Sequence, residues 1–275
     1  MNKVWIQLVC FCLGFLLVER FCHKKTDGFA ISHVLSDLPI REGDKEPLPE
    51  GIKKILSRPF TFLGSGGQSY AFLSEDKKAV LKVFKHHHLK PLFTSSEKKR
   101  EAFFASCELS FNELRDESAL LYVHLHKTNH LKQSLTLVDK LGIQHTLDLD
   151  NLEFLLQQRV SLALRSVKKQ VERNNLLSAE KAILSIVEMV GTRCQKGIQD
   201  TDNGMRRNMG LLEGRAVAID TGSFARNWEI RKKDQMRKEI REKTWRLARF
   251  LKLRDEKLLQ RYNQAVEKVV DEKGI

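Results

Sequence analysis

Residues 206–224, RRNMGLLEGRAVAIDTGSF, constrain the fold of this chain more than any other stretch. A polar loop ends at Asn208, a short apolar run (209–212) turns at Glu213-Gly214, and a second apolar run (216–219) stops at Asp220-Thr-Gly. Two short apolar runs around a Gly-containing turn predict a β-hairpin, whose outgoing strand delivers a carboxylate onto a second tight turn. A further acidic cluster, Asp200-Thr-Asp202, lies just upstream. Acid, Asn, hairpin and acid in that order suit the holding of Mg²⁺ and a triphosphate, because a hard cation needs oxygen ligands fixed on short, rigid elements.

The rest of the chain sets limits on that idea. Its 275 residues allow one or two domains, and 41% hydrophobic with 30% charged residues describes a globular body. A net charge of +13 favours polyanionic partners, whether nucleotide phosphates, anionic lipid or nucleic acid, without choosing among them. Cys10, Cys12 and Cys22 lie in or beside an N-terminal apolar segment, leaving only Cys107 and Cys194 in the body. A disulfide framework and a thiolate zinc site are therefore not expected.

In chain order, residues 4–18 form an uncharged apolar run after Lys3. It is shorter than the roughly 20 residues a spanning helix needs. Phe21 and Cys22 extend it if Glu19 and Arg20 snorkel, and no small-residue cleavage site follows Val18. The expectation is an uncleaved single-pass anchor at residues 4–22 with the body on the cytoplasmic side, a cleaved signal being the alternative. Residues 23–58, with Pro39, Pro47 and Pro49, read as a linker with one short helix. From residue 59 the pattern turns β-like. Three runs (60–63, 69–74 and 79–84) predict an antiparallel meander, with Gly64-Ser-Gly66-Gly67 in its first turn and Lys82 in its third strand. The glycines let backbone N–H groups approach an anion closely. His86-His87-His88 reads as a solvated loop, since adjacent side chains diverge in regular structure. A helix capped by Ser95 or Ser96 follows, placing Glu97, Glu101, Phe104, Glu108 and Phe111 on one face. Strands are expected at 120–127, 135–141 and 145–158, then helices at 161–173 and 179–195. Beyond the hairpin the chain reads as helix, at 229–253 and 255–270, the first carrying Met236, Ile240, Leu247 and Leu251 on one face among many cations.

This order of elements resembles the protein kinase-like superfamily, over roughly residues 60–224. Gly64-Ser-Gly66-Gly67-Gln-Ser69 is similar to its Gly-rich loop, with Ser69 where a third Gly is usual. Lys82 in Ala79-Val-Leu-Lys looks like the strand lysine that holds the α and β phosphates, and Glu101 like its ion-pair partner. Asp220-Thr-Gly222 resembles the metal-binding DFG, Asn208 the catalytic-loop Asn, and Asp202 or Asp200 the acid that orients the attacking hydroxyl. The resemblance implies an α+β, two-lobe kinase-like fold, with an antiparallel-sheet N-lobe at 59–160 and a reduced helical C-lobe at 161–275 preceded by the N-terminal hydrophobic helix. It further implies ATP and Mg²⁺ as cofactors and phosphotransfer as the activity, which the N-terminal segment would hold at a membrane.

Two other readings stand beside it. No His-Arg precedes Asp202, Thr replaces the Phe of DFG, and only a short segment follows the hairpin, as in a pseudokinase-like scaffold without chemistry. Alternatively the chain is a basic protein binding anionic lipid or nucleic acid, and the hairpin is structural. Eleven Lys or Arg residues fall between Arg231 and Arg254; they read first as a solvated face whose apolar stripe packs on the body, with contact to an anionic lipid as the alternative. Nucleic acid is disfavoured because stacking aromatics are not interleaved beyond Trp245.

Overall fold

The computed structural model describes residues 3–41, 46–86, 96–202 and 204–275. The fold is mixed α+β. Its helices are α1 (Lys3–Thr26), α2 (Glu50–Leu56), α3 (Ser96–Glu113), α4 (Arg115–Ser118), α5 (Ala163–Glu172), α6 (Leu176–Gln195), α7 (Met205–Asn208), α8 (Lys233–Arg254) and α9 (Glu256–Lys273). Its strands are β1 (Phe60–Ser65), β2 (Ser69–Ser74), β3 (Ala79–Phe84), β4 (Leu120–His124), β5 (Ser134–Val138), β6 (Gln144–Asp148), β7 (Phe154–Gln158), β8 (Ser161–Leu162), β9 (Ile198–Asp200), β10 (Met209–Leu212), β11 (Arg215–Ala218) and β12 (Phe224–Arg226). The main sheet runs β4-β7-β3-β2-β1-β5-β6. Two compact units form, one of residues 1–97 and 124–156, the other of residues 98–123 and 157–275.

In the first unit the predicted meander is present: β1 pairs antiparallel with β2, and β2 with β3. Alternation drives Tyr70, Phe72, Leu81 and Val83 to the buried face, where Phe60, Leu135 and Leu137 join them. Two elements depart from expectation. In 26–41 and 46–58, expected as linker, Phe29, Val34, Leu48 and Leu56 are buried, and Phe29 meets the rings of Tyr70 and Phe72 edge-on at 5.2 and 5.4 Å. Each such side chain contributes roughly 1.5–3 kcal/mol on burial, enough to fold a Pro-rich segment onto the sheet. The strand expected over 145–158 is broken by a 3₁₀ turn at Leu149–Asn151. There the Asp150 carboxylate accepts from the backbone N–H groups of His130, Leu131 and Lys132, a local alternative to ladder bonds. His124 ends β4, so His126 is not on that strand.

The N-terminal helix α1 exposes Trp5, Phe11, Phe15, Leu17 and Phe21. Among the described residues no helix is long and apolar enough to cross a membrane, so the expected spanning segment is not found. Lys3 on one side and Glu19 and Arg20 on the other keep the uncharged run short. His87, His88 and Ser95 lie outside the described residues.

The second unit is built on α6. Ile183, Ile186, Val187, Val190 and Cys194 recur at helical spacing and pack with Met236, Ile240, Leu247 and Leu251 of α8 and Tyr262, Val266 and Val270 of α9. Gly191 lets α9 approach, since a Cβ there would lie 2.2 Å from Val269 Cγ1. Helix α6 starts at Leu176, capped by Asn175 accepting from the Ser178 N–H, three residues before the expected start at 179. Asp255 caps α9 by accepting from the Leu258 N–H at 2.9 Å. The predicted hairpin is β10–β11, paired Met209↔Ala218 to Leu212↔Arg215. Its turn residues Glu213 and Gly214 both have positive φ (50° and 89°), as a type I′ turn requires.

Candidate functional site

In the second unit, β9, α7, the β10–β11 hairpin and the start of β12 bring the sequence-predicted acids together. Strands β9 and β12 pair antiparallel with Phe224 opposite Asp200, so the two acidic turns leave neighbouring strand ends. Asp202 is exposed, and its Oδ2 accepts from Asn208 Nδ2 at 2.7 Å. That bond uses the nitrogen of the Asn208 amide and leaves its oxygen as an acceptor. The Ile219 N–H donates to the Asn208 carbonyl at 2.7 Å, extending the hairpin ladder by one rung. Asp220 is the next residue after this rung. Its carboxylate is exposed and accepts from the Gly222 N–H at 3.1 Å, an Asx turn.

Asp200 sits differently from Asp202. It is buried, and its Oδ1 accepts from the Ser223 hydroxyl at 2.7 Å and the Asp202 N–H at 2.9 Å. Burial raises its carboxyl above the ordinary range, with Arg193 and Lys243 opposing the rise. Asp200 thus ties the loop holding Asp202 to the turn following Asp220.

A buried ion set supports this loop. Arg193 and Glu239 pair at 2.7 Å, each side chain 3% exposed. Arg193 also donates to the Ile198 carbonyl at 3.0 Å, Glu239 accepts from the Asp200 N–H at 3.3 Å, and Lys243 donates to the Asp202 carbonyl at 2.8 Å. Charges taken out of water need such saturation, because a lone partner would cost several kcal/mol. Arg193 on an apolar helix face, and Glu239 with Lys243 one turn apart beside Met236 and Ile240, were signals in the sequence that the motif reading did not use.

Helix α3 holds the Asp220-Thr-Gly turn from its other side. Ser106 donates to the Thr221 carbonyl at 2.7 Å and accepts from the Phe224 N–H at 2.6 Å. Thr221 is buried beside Cys107. Gly222 is required because a Cβ would lie 1.9 Å from the Phe103 ring. The face of α3 turned inward is therefore Phe103, Ser106, Cys107 and Ser110, with Phe104 also buried. The expected face is corrected accordingly: Glu101 and Glu108 are exposed, and hydrogen bonding to the turn, not the Glu-Phe spacing, selects the helix rotation.

The Gly-rich loop and Lys82 belong to the first unit. Gly64 faces Ala71 on β2, and Ala71 faces Lys82 on β3, so the three share a cross-strand row on the half-exposed side of the sheet. A Cβ at Gly64 or Gly67 would meet nothing within 4 Å, and neither residue has a left-handed φ. Their contribution is an unobstructed backbone. The Gly66 N–H donates to the Ser69 carbonyl at 2.8 Å and closes the loop. Behind it lies Lys85, which the motif reading passed over. Its Nζ donates to Ser65 Oγ at 2.7 Å and the Gly66 carbonyl at 2.6 Å, and sits 4.2 Å from the centre of the Tyr70 ring. Desolvation lowers its pKa, opposed by the charge of Asp27.

Among the described residues, no group of three or more His, Cys, Asp or Glu is placed to hold a metal ion. Around the hairpin, the described side chains offer as oxygen ligands two exposed carboxylates, Asp202 and Asp220, and the Asn208 amide.

No protein-family model matches the sequence. No curated protein matches it either. Among solved structures the chain is similar to WbdD in complex with the kinase inhibitor LY294002, at 12% identity and a TM-score of 0.40, over 77% of this chain and 45% of that one. It is similar also to the bifunctional kinase-methyltransferase WbdD, at 13% identity and 0.38, over 75% and 42%. The chain spans less than half the length of these structures.

Proposed function

We propose that this chain is a kinase-like domain that binds Mg-nucleotide and transfers a phosphoryl group to an acceptor. The observation that carries the reading is the exposed Asp202 carboxylate, oriented by Asn208 on a loop anchored through the buried Asp200, Arg193, Glu239 and Lys243. An exposed acid on a buried ionic footing is costly for a turn alone, and suits a group that must meet a substrate in fixed geometry.

Asp202 takes the role of orienting and accepting a proton from the acceptor hydroxyl, and Asp200 becomes a positioning residue. Asp220 and Asn208 would hold Mg²⁺, which uses one or two carboxylates and completes its shell with water and phosphate oxygens. One carboxylate and one amide oxygen fit that demand better than they fit a cation needing an all-protein cage. Bound Mg²⁺ would supply charge neutralisation at the transferring phosphates. Gly64, Gly66, Gly67 and Ser69 offer backbone to phosphates, and Lys82 a cation, while Ala71 keeps the surface beside Lys82 low.

A thermal-shift titration of the full chain checks this. Mg-ATP raises the melting temperature of the wild type, and Lys82→Met and Asp220→Asn reduce the rise. Asp202→Asn keeps the rise while transfer falls at least about a hundredfold, the scale of a lost general base. No Mg-ATP-dependent shift in the wild type overturns the reading.

Attachment to a bilayer through α1 belongs to the same proposal, as a helix embedded by its exposed apolar side chains. Retention of the full chain on neutral vesicles, lost in Phe11→Asp/Phe15→Asp, is the expected result.

A further inference from the structure

We propose that the C-terminal half of α8 is a docking face for an anionic lipid surface. It rests on the distribution of ion pairs along one helix, not on the nucleotide reading. In the first half of α8 the cations are matched with acids. Lys233 pairs with Asp271 at 3.1 Å, Arg237 with Asp234 and Glu267 at 2.9 Å each, and Arg241 with Glu267 at 3.0 Å. After Lys243 this stops. Among the described residues Arg249, Lys252 and Arg254 make no ion pair, and Arg246 lies over the Trp245 ring at 4.3 Å. The next acid, Asp255, is committed to capping α9.

The unmatched cations are not alone on that face. Trp245, Arg249 and Lys252 follow i, i+4, i+7 spacing, and Arg246 and Leu253 form the adjoining row. Trp245 is 40% exposed and Leu253 is 73% exposed. Lys168 of α5 lies over Phe250 at 5.3 Å and adds a cation at the edge. Like charges one turn apart repel, and exposed Trp and Leu cost solvation, so the arrangement is unfavourable in water alone. An anionic headgroup layer reverses both terms: the cations gain attraction, and Trp245 and Leu253 seat at the acyl boundary. A single-stranded nucleic acid would reward successive stacking aromatics, whereas this face presents one Trp, and Leu253 gains nothing against a phosphate backbone.

The test is sedimentation of the full chain with phosphatidylcholine vesicles and with vesicles also containing phosphatidylglycerol. Retention is expected to be stronger on the anionic vesicles, and to weaken with salt. Arg246→Glu/Arg249→Glu/Lys252→Glu should abolish that excess, a fall of about tenfold or more in partition. Retention on neutral vesicles should stay as in the wild type, so α1 is read separately. Lys54→Glu/Lys98→Glu/Lys99→Glu carries the same net charge and should keep the excess. Trp245→Ala/Leu253→Ser should lower retention that persists in high salt. The proposal is overturned if the α8 reversal leaves the excess unchanged, if the control set removes it equally, or if α8-dependent binding is found with RNA and not with anionic vesicles. Both charge variants should retain any Mg-ATP thermal shift, so failure here and failure of the nucleotide reading are distinct results.

Discussion

Lys85 shows how one side chain can fix a glycine-rich loop. Its ammonium occupies the Ser65 hydroxyl and the Gly66 carbonyl, and so fixes the first turn of the meander from the side opposite its open backbone. Hydrogen bonds to a charged group are worth about 1.5–3 kcal/mol, and their removal here would leave two acceptors without that donor. Lys85→Met, which keeps the length of the stem over Tyr70, should therefore destabilise the fold by roughly that amount. On the proposed nucleotide reading it should also weaken Mg-ATP binding several-fold with little effect on turnover at saturation. Denaturant unfolding and a KM-against-kcat comparison check the two parts; a fall in kcat alone would contradict the positioning role. The two acids of the Asp200-Thr-Asp202 cluster show the same division of labour. Residue type left them equivalent, and burial separates them: Asp200 is enclosed with its hydrogen bonds satisfied, and Asp202 faces solvent with Asn208 beside it.

At the scale of elements, what could be read locally was read well. The hairpin was legible because its two short apolar runs and its turn chemistry agree, and the meander because three β-branched or aromatic runs are separated by Gly and charged turns. Helix α8 was legible because one face carries Met236, Ile240, Leu247 and Leu251. The rotation of α3 was not. Its glutamates and phenylalanines suggested one face, but Ser106 and Ser110, an i, i+4 pair of small polar residues, turn inward to the Thr221 carbonyl. Their partner lies more than a hundred residues away, and nothing in local spacing encodes it. The burial of side chains in 26–41 and 46–58 is hidden for a related reason. Prolines and charges dominate the composition there, while the few buried residues, Phe29, Val34 and Leu48, are too widely spaced to form a periodic signal. In the candidate site the exposed acids and glycines were legible as motifs, whereas their footing in Arg193, Glu239 and Lys243 required knowing which helices meet.

The whole molecule does not divide at a single point in the sequence. A cut near residue 160 looks natural, since strands precede it and helices follow. Yet residues 98–123 belong with the later half. Leu114 is buried with Ile198, Ala218 and Phe224, and the Phe103 ring covers Gly222. A fragment ending at residue 156 would keep α3 and lose every one of those partners. Cys107 reports this directly. It is fully buried in the chain, as is Cys194, whose thiol burial pushes up to about 12, while Cys10, Cys12 and Cys22 are exposed. A thiol reagent acting on the native full chain should modify the three N-terminal cysteines and spare the other two, since a buried, protonated thiol is inert. In fragment 1–156 Cys107 should react at a rate close to that of the exposed cysteines, and the fragment should self-associate through the uncovered Phe103 and Leu114. Co-expression of residues 157–275 should restore protection. A monomeric fragment with Cys107 still protected would mean that α3 buries its inner face without the later half, and that the boundary lies where the pattern of strands and helices suggests.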